Sequence, residues 1–371
     1  MAHHIDTLKI RAFRRLRNVE LPDLARVNLF VGENNTGKTS VLEAVSLHCR
    51  PLDPLSWFAT ARRYEINSSH TLAFDAFRWL FPQRDASYED DHFIGQVQIE
   101  GSGGFQCVES GGSYRGIVAA EEDADDPTVD ANGESSGSSS LTYSRRRGAD
   151  VAIYADQAPG KRRVHQFQLW EDKPLVETTG AAEPLLNVAF VSPFAHRIES
   201  FQVGQLSRAI QKGEKADVLD IMRLLDPEIE DIEVLAPQGT RASIHVRHRA
   251  TGYTPLITLG DGVRRVLGFA VALHSARGGV LLIDEVETAI HKDALSKVFR
   301  WLTTACARYD VQLFATTHSL DAVDAFVGAK HVDFAEVAGY RLERDAESVT
   351  VRPMPGELLH RLRYERALDV R

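Results

Sequence analysis

The start of the chain alternates between apolar and polar residues in the stretch IDTLKIRAFRRLRNVEL, residues 5–21. A continuous apolar run, RVNLFVG (26–32), follows it. Alternation with a period of two is typical of half-buried strands, and a short apolar run that ends at glycine is typical of a buried strand. We therefore predict a hairpin and then a buried strand. Apolar residues at near-helical spacing in SVLEAVSLHC (40–49) predict a helix directly afterwards.

Strand-like alternation returns between about 90 and 190 in four segments separated by Gly, Pro and Asp. These segments are FIGQVQIEG, GGFQCVESG, DVAIYADQ and VHQFQLWED. They predict an antiparallel β-rich lobe over residues 86–195. An acidic stretch, EEDADDPTVDANGESSGSSS (121–140), interrupts them. Because it has almost no apolar residues to bury, we predict a disordered loop at about 119–148.

The remaining sequence changes from helical spacing to a regular alternation of strands and helices. Residues 196–226 have helical spacing that stops at Pro227, which predicts a small helical subdomain over 196–235. In the C-terminal part, 236–371, predicted helices alternate with the buried strands GVLLID (279–284) and VQLFATTHS (311–319). Such alternation is the pattern of a parallel sheet covered by helices on its faces.

Composition excludes several classes of protein. No apolar run approaches the roughly 20 residues that span a bilayer, and the N-terminus lacks the features of a signal peptide, so we expect a cytoplasmic protein without a membrane partner. Three widely spaced cysteines, Cys49, Cys107 and Cys306, argue against disulfides or a zinc site. The net charge of -9 argues against coating of nucleic acid by the overall field, although it allows a local basic face.

The segment VGENNTGKTS (31–40) matches Gly, four arbitrary residues, Gly, Lys and Thr, between a predicted strand and a predicted helix. In that context glycine lets the backbone N–H groups point at phosphates, and the helix N-terminus adds its dipole. Lys38 is expected to pair with β- and γ-phosphate oxygens, and Thr39 to give its hydroxyl to Mg²⁺. The predicted nucleotide-binding residues here are Gly32, Asn34, Asn35, Thr36, Gly37, Lys38, Thr39 and Ser40.

Two further segments place polar groups after predicted buried strands. In GGVLLIDEVE (278–287), Asp284 is expected to hold Mg²⁺ and Glu285 to polarise the attacking water. In LFATTHSLD (313–321), His318 falls on the same edge if both strands share one parallel sheet. At that place a histidine can hydrogen-bond a γ-phosphate or the attacking water.

A third segment, LGDGVRRVLGFAVAL (259–273), begins with two glycines around an acidic residue. Gly260, Asp261 and Gly262 form a short turn that opens a helix, which is a second backbone nest suited to phosphate. The alternative is an ordinary helix N-terminus with Asp261 as its cap. The local sequence leaves both interpretations open.

Together these segments resemble the ABC-type ATPase module of the OLD and RecF-like proteins, which is related to the SMC and DNA-repair ATPases. The resemblance covers about the first 50 residues and 255–325. It implies an α/β P-loop NTPase of ABC-ATPase type, a mixed sheet flanked by helices with an antiparallel β lobe and a small inserted helical subdomain. Residues 1–85, with the Walker A motif, and 236–371, with the signature, Walker B and the switch histidine, then form the two parts of the ATPase core.

The resemblance also implies roles for particular residues. Gly32 to Thr39 is Walker A, Asp284 is Walker B, and Glu285, His318 and Lys38 are catalytic. The signature residues Gly260, Asp261, Gly262 and Arg264 are expected to contact ATP bound by the other protomer of a head-to-tail homodimer. Glu287 and His291 fall where the family places its D-loop, at the interface between protomers, and the cofactors are ATP and Mg²⁺.

Departures from the family pattern shape the functional prediction. Gly260 stands where the signature has serine, so hydrolysis is expected to be slow, and Gln202 and Gln205 are the candidates for the Q-loop glutamine. OLD proteins carry a C-terminal TOPRIM nuclease domain, whereas only about 50 residues follow His318 here. Any nuclease is therefore expected to be a separate polypeptide.

Three functions follow, in order of preference. The first is an ATPase whose dimer regulates a separately encoded effector, such as a TOPRIM-type nuclease, in anti-phage defence or DNA repair. The second is a RecF-like clamp that binds DNA through the arginines at 14–17 or 145–147. The alternative interpretation of these arginines is that they form a solvated surface without a ligand. The third is the ATPase subunit of a membrane transporter, which the signature sequence disfavours.

Overall fold

The computed structural model shows which of the predicted elements form and how they pair. It describes residues 3–63, 73–83, 91–122, 143–157, 160–172, 183–236, 241–328, 333–345 and 348–371. None of the helices within these ranges is both long and apolar enough to cross a membrane.

Fifteen strands are found within the described ranges. They are β1 (Thr7–Phe13), β2 (Leu16–Leu21), β3 (Val27–Val31), β4 (Ile94–Ser102), β5 (Glu109–Glu122), β6 (Tyr143–Asp156), β7 (Arg162–Trp170), β8 (Val188–Val191), β9 (Ile229–Leu235), β10 (Ser243–His248), β11 (Gly252–Pro255), β12 (Val280–Ile283), β13 (Gln312–Thr316), β14 (Val337–Arg344) and β15 (Val349–Pro355).

Nine α-helices accompany these strands in the part of the chain that the structure describes. They are α1 (Lys38–Cys49), α2 (Pro54–Ala61), α3 (Ala73–Arg78), α4 (Glu199–Gln211), α5 (Lys215–Leu225), α6 (Asp261–Ser275), α7 (Lys292–Arg308), α8 (Leu320–Val327) and α9 (Gly356–His360).

A six-stranded mixed sheet, in the order β15-β14-β3-β13-β12-β8, forms the centre of the fold. Strands β14, β3, β13, β12 and β8 are parallel neighbours, and β15 pairs antiparallel at one edge. Strand β12, VLLI, is buried throughout, as expected for a parallel strand covered on both faces. The predicted parallel sheet is confirmed, and β14 and β15 extend it beyond the predicted strands.

Side chains of the central sheet divide between two hydrophobic clusters, one on each face. Leu281 and Ile283 pack in the cluster that includes helices α5 to α8, whereas Leu282 packs in the other cluster. Successive side chains of a strand point to opposite faces, so a continuous apolar run supplies both clusters. The second cluster also holds Val41 of α1 and Ile10 of β1, which places α1 between the central sheet and a second sheet.

The second sheet is antiparallel, with six strands in the order β2-β1-β4-β5-β6-β7. The N-terminal hairpin β1–β2 joins it because β1 pairs with β4, with Ile10 opposite Ile99. The hairpin of the predicted segment 1–85 and strands β4 to β7 of the predicted lobe at 86–195 therefore form one continuous sheet, whereas β8, from the same predicted lobe, belongs to the central sheet. A third, three-stranded antiparallel sheet has the order β11-β10-β9.

The acidic segment behaves differently at its flanks from what the composition predicts. Residues 119–122 belong to strand β5 and 143–148 to strand β6, where a disordered loop was expected. The two strands pair as far as Glu122 and Tyr143, because ladder hydrogen bonds do not depend on apolar side chains. The central residues 123–142 lie outside the described ranges. The predicted fold class, a mixed sheet flanked by helices together with an antiparallel sheet, is confirmed.

Candidate functional site

The predicted phosphate cradle is a tight loop between β3 and α1. Its backbone adopts positive φ angles at Gly32 (145°), Asn35 (62°) and Gly37 (95°). A Cβ atom at Gly32 would lie 2.5 Å from the carbonyl oxygen of Leu342, so only glycine fits there. These angles turn the backbone sharply, as a loop that surrounds a phosphate requires.

The cradle ends at the N-terminus of the twelve-residue helix α1. Its N-cap, Gly37, is left-handed and supplies no side-chain hydrogen bond to the first turn. The Lys38 ammonium folds back over the loop and donates to the carbonyls of Gly32 at 2.8 Å and Glu33 at 2.7 Å. Burial lowers the pKa of Lys38. The loop therefore combines first-turn N–H groups that lack a side-chain cap with a partly buried cation, and this combination fits a polyphosphate.

Thr39 and Asp284, 245 residues apart in the sequence, meet at the end of the cradle. The Thr39 hydroxyl lies 3.1 and 3.0 Å from the two carboxylate oxygens of Asp284. Hydroxyl and carboxylate oxygens are ligands that Mg²⁺ accepts, and it completes its shell with waters and phosphate oxygens. The pair fits the predicted Mg²⁺ site, although the described residues hold no group of three His, Cys, Asp or Glu suited to a metal.

Thr316, at the end of β13, is a site residue that the sequence analysis missed. Its hydroxyl donates to Asp284 Oδ1 at 2.5 Å and accepts from the Glu285 N–H at 2.8 Å. It is fully buried. The hydroxyl therefore orients both members of the acidic pair. A signal was present, because Thr316 lies two residues before His318 at the same predicted strand end.

Glu285 and His318 lie at the same sheet edge, each held by another side chain. Glu285 has a positive φ of 47°, and its Oε2 accepts from the Thr288 hydroxyl at 3.0 Å. His318 is half-exposed, and its Nδ1 lies 3.4 Å from Glu287 Oε1. The His318 N–H donates to the same carboxylate oxygen at 3.1 Å. The predicted D-loop residue Glu287 thus fixes the loop that carries His318.

The start of α6 corrects one interpretation of the glycine pair. Gly260, not Asp261, is the N-cap, and it gives no side-chain hydrogen bond. Asp261 is the first helical residue, and its carboxylate accepts from Arg264 at 3.2 Å. Gly262 packs closely on the next loop, because a Cβ there would lie 2.9 Å from the carbonyl oxygen of Ala289. The capping alternative for Asp261 was therefore wrong.

The two arginines of the signature segment have different surroundings. Arg264 is mostly buried beside Asp261. Arg265 is fully buried, donates to the carbonyls of Asp284 at 2.8 Å and Glu285 at 3.1 Å, and also donates to Ser192. Burial lowers the pKa of Arg265 to about 10. Its guanidinium therefore ties α6 to the end of β12 within one chain.

The predicted signature, D-loop and Q-loop residues lie in clefts or contacts separate from those of the Walker A residues. Gly260, Gly262 and His291 line a small cleft, whereas Walker A residues such as Asn35 and Gly37 line another. Gln202 is buried and donates to the carbonyl of Arg264 at 3.4 Å, and Gln205 lines a third cleft beside β8. Neither glutamine is among the residues that line the cleft of the Walker A residues.

The Walker A cleft has a volume of about 720 Å³. Besides cradle residues it is lined by Arg15 and Arg344, which are exposed, and by Trp79, whose surface is 50% exposed. Arg344 donates to the carbonyl of Asn35 at 3.5 Å. A flat aromatic surface and cations thus lie next to the phosphate cradle.

Two family profiles match separate parts of the chain. Residues 4–51 match the AAA ATPase domain, and residues 155–324 match the AAA domain described as putative AbiEii toxin, Type IV TA system. The first match contains the cradle and Thr39, and the second contains Asp284, Thr316 and His318. The fold is that of a P-loop ATPase.

Protein relatives match shorter parts of the chain. The DNA replication and repair protein RecF of Saccharophagus degradans is 38% identical over 76 residues, which are 20% of this chain and 19% of that protein. Uncharacterized protein MJECL11 of Methanocaldococcus jannaschii is 27% identical over 113 residues, 30% of this chain and 99% of that protein. Similarity to RecF is confirmed, and the resemblance to OLD proteins stays a prediction.

Solved structures similar to the chain include SMC heads. One is an SmcHead bound to the C-winged helix domain of ScpA, with 11% identity and a TM-score of 0.48, covering 98% of this chain and 100% of that one. Another is the SMC head domain from Thermotoga maritima, with 12% identity and a TM-score of 0.43, covering 95% and 99%.

Proposed function

We propose that this protein binds and hydrolyses ATP with Mg²⁺ at the cradle. The observation that carries the proposal is the meeting of the Thr39 hydroxyl with both carboxylate oxygens of Asp284, at 3.1 and 3.0 Å. The Lys38 ammonium lies on the carbonyls of the same loop. A cation, a hydroxyl and a carboxylate thus converge beside N–H groups that suit phosphates.

Each side chain has a distinct task in this proposal. Lys38 pairs with phosphate oxygens, and Thr39 and Asp284 hold Mg²⁺, which neutralises charge on the phosphates. Glu285 accepts the proton of the attacking water, and the Thr288 hydroxyl holds its carboxylate. Thr316 fixes the orientation of Asp284. His318, on the neighbouring loop, donates a hydrogen bond to the γ-phosphate or to the attacking water.

The nucleoside end of the ligand belongs in the Walker A cleft. Trp79 offers a half-exposed indole on which a base can stack. Arg15 is exposed in the same cleft and makes no ion pair with a described carboxylate. Stacking is tolerant of base identity, so this cleft supports nucleotide binding more strongly than discrimination between bases.

A head-to-tail homodimer would complete the site. Within one chain, the glycines of the signature segment line one cleft and the Walker A residues line another. The N-cap Gly260 leaves the first turn of the fifteen-residue helix α6 without a side-chain cap, which suits a phosphate held by another protomer. ATP binding then closes the dimer, and hydrolysis reopens it.

We assign the closed dimer a regulatory role toward a separately encoded effector, in anti-phage defence or DNA repair. The match to a profile described as a putative AbiEii toxin and the similarity to RecF both support such a setting. A nuclease of the TOPRIM type remains the effector that the OLD resemblance suggests.

The ATPase proposal is tested by phosphate release and by molar mass from light scattering, with and without ATP and Mg²⁺. Wild type should release phosphate slowly. Glu285→Gln should bind ATP, lose at least about 100-fold in turnover and shift to the mass of a dimer. Lys38→Ala should show neither release nor a mass shift, whereas Lys161→Ala, at an exposed position before β7, should behave as wild type.

Two results would contradict separate parts of the proposal. Full turnover by Glu285→Gln would show that Glu285 is not the base, and it would not contradict the proposal that the protein binds ATP. A Glu285→Gln protein that binds ATP and keeps the mass of a monomer would reject the dimer mechanism alone.

The second candidate is a RecF-like clamp on DNA, favoured by the RecF similarity. Two of the arginines proposed for it are engaged within the chain: Arg14 pairs with the buried Glu43 at 2.8 Å, and Arg147 pairs with Glu171 at 2.9 Å, whereas Arg15 is exposed. Anisotropy of labelled duplex DNA at 50 and 200 mM salt tests the clamp, since phosphate contacts give steep salt dependence. Salt-dependent binding that Arg15→Glu abolishes would support it.

A further inference from the structure

Strand β8 forms an edge of the central sheet, and one side of its backbone faces away from that sheet. The Val280 N–H donates to the carbonyl of Asn187 at 2.8 Å, and the Asp284 N–H donates to that of Val191 at 2.9 Å. In a parallel ladder, alternate residues bond to one neighbour, so the peptide groups of Val188 and Phe190 face outward. Among the described strands, β12 is the only partner of β8.

The outer side of β8 opens into a cleft of about 790 Å³, lined by helices α1, α2, α4 and α6. Five basic side chains line it: Arg50, Arg63, Arg208, Lys212 and Arg277. Glu214 is the one carboxylate among the lining residues. The whole chain carries a net charge of -9, so the cleft has the opposite sign to the molecule.

The basic side chains have two kinds of environment. Arg50 donates to the outward carbonyl of Val188 at 3.3 Å, and the guanidinium of Arg63 stacks 3.7 Å from the ring centre of Phe190. Arg277 pairs with Glu214 at 3.1 Å. By contrast, Arg208 and Lys212 are exposed, and neither pairs with a carboxylate of the described residues. These two cations are available to a negatively charged ligand.

A buried polar side chain also lines the cleft. His274 is only 5% exposed, and its Nδ1 lies 3.0 Å from Glu214 Oε2. Both ring nitrogens are buried, and neither has a hydrogen-bond partner in the described part of the chain. A neutral imidazole has one donor and one acceptor nitrogen. The cleft wall therefore contains a buried histidine that lies beside the carboxylate of Glu214.

We propose that this cleft binds an extended acidic segment of a partner protein, which adds to β8 as a further strand. Strand addition to a free sheet edge is a common mode of peptide recognition, with main-chain bonds for affinity and side-chain contacts for specificity. Carboxylates at alternate positions of the segment pair with Arg208 and Lys212. The outward N–H and C=O groups of Phe190 pair with the main chain of the segment.

The observations favour a peptide over a nucleic acid. The β8 edge offers both donors and acceptors. A phosphodiester backbone supplies acceptors alone, so it would leave the acceptors of the cleft without partners. A peptide main chain supplies both kinds of group at the spacing of a strand.

The test measures fluorescence anisotropy of a fluorescein-labelled ten-residue peptide in which Glu alternates with Thr, added to the full chain. Three comparison probes are the same peptide N-methylated at alternate residues, a version with Lys in place of Glu, and a labelled 20-nucleotide single strand. The acidic peptide should bind. N-methylation should weaken binding at least 10-fold because it removes strand donors, and the Lys peptide should not bind.

Variants locate the binding site. Arg208→Glu with Lys212→Glu should weaken binding of the acidic peptide at least 10-fold. The matched control, Lys161→Glu with Arg163→Glu, changes the same charge at exposed positions on β7 and its approach, and should leave binding unchanged. ATP turnover should be unaffected in both, so the failure of this proposal is distinguishable from failure of the ATPase proposal.

Several outcomes would overturn strand addition. These are absence of acidic-peptide binding, equal affinity for the N-methylated peptide, and equal weakening by the control pair. Tighter binding of the single strand, lost in the Arg208 and Lys212 variant, would reassign the cleft to nucleic acid.

Discussion

The guanidinium of Arg265 donates a hydrogen bond to the main-chain carbonyl of Asp284 at 2.8 Å. Arg265 lies on α6, directly after the glycines of the signature segment, and Asp284 follows β12. The same guanidinium also bonds to Glu285 and Ser192. In the proposed dimer, these hydrogen bonds would couple a displacement of α6 to the acidic pair.

Replacement of this buried guanidinium should be costly. Arg265→Lys keeps the charge but cannot reach three carbonyls at once, so buried acceptors lose their partners. We expect the free energy of unfolding in urea to fall by roughly 3 kcal/mol. Arg264→Lys is the control, since Arg264 bonds to a partly exposed aspartate, Asp261, and should lose less than about 1 kcal/mol. Equal losses of stability in the two variants would contradict the role of Arg265 in tying α6 to the end of β12.

Thr316→Val should impair turnover without disturbing the fold. The change removes the hydroxyl between Asp284 and the Glu285 N–H but keeps the shape of the side chain. Loss of a group that orients a metal ligand typically costs about 10- to 100-fold in activity or metal affinity. We expect kcat to fall in that range, with a higher Mg²⁺ requirement. Thr317→Val, a fully buried neighbour that bonds to Ser319, should keep its Mg²⁺ requirement.

Trp79→Ala should affect ATP binding rather than the chemical step. A base stacked on an aromatic side chain gains roughly 1 to 3 kcal/mol, so KM for ATP should rise about 10-fold while kcat stays unchanged. Titration with ATP should change the tryptophan fluorescence of the wild type, and the change should be smaller in Trp79→Ala. Leu55→Ala removes an equally exposed apolar side chain that does not line the Walker A cleft, and it should leave KM unchanged.

Stability should fall in mild acid because of His48. This residue is fully buried beside Ser110, and burial lowers its pKa from 6.5 to about 4. As pH falls, His48 takes up a proton in the unfolded chain before it does so in the folded protein. The free energy of unfolding is therefore unaffected by His48 above about pH 6.5, and it decreases as the pH falls from there to about pH 4.

Urea unfolding at pH 7 and pH 5 measures this loss, which should be about 2 kcal/mol from His48. His48→Gln should show a smaller pH dependence than wild type. His291→Gln, at a largely exposed position, should keep the dependence of wild type. An unchanged slope in His48→Gln would assign the acid sensitivity to other groups.

Local patterns were sufficient for most elements of the fold. The period-two bursts predicted β1 and β2, and the buried run 279–284 predicted β12, because the spacing of apolar residues follows directly from strand geometry. Composition failed at the flanks of the acidic segment, where pairing between β5 and β6 supplies the hydrogen bonds. Local patterns do not predict the order of strands in a sheet, so the pairing of β1 with β4 was not predicted.

The sequence by itself determined the phosphate cradle, because glycine φ angles, a lysine and a threonine within eight residues act locally. Tertiary structure alone decided which distant groups complete it. Thr316 and Asp284 meet because β12 and β13 are parallel neighbours whose ends coincide. One residue turns a helix by about 100°, so Arg265 faces the sheet edge while Arg264 faces Asp261. No local pattern specifies which of two adjacent arginines will bond to the acidic pair.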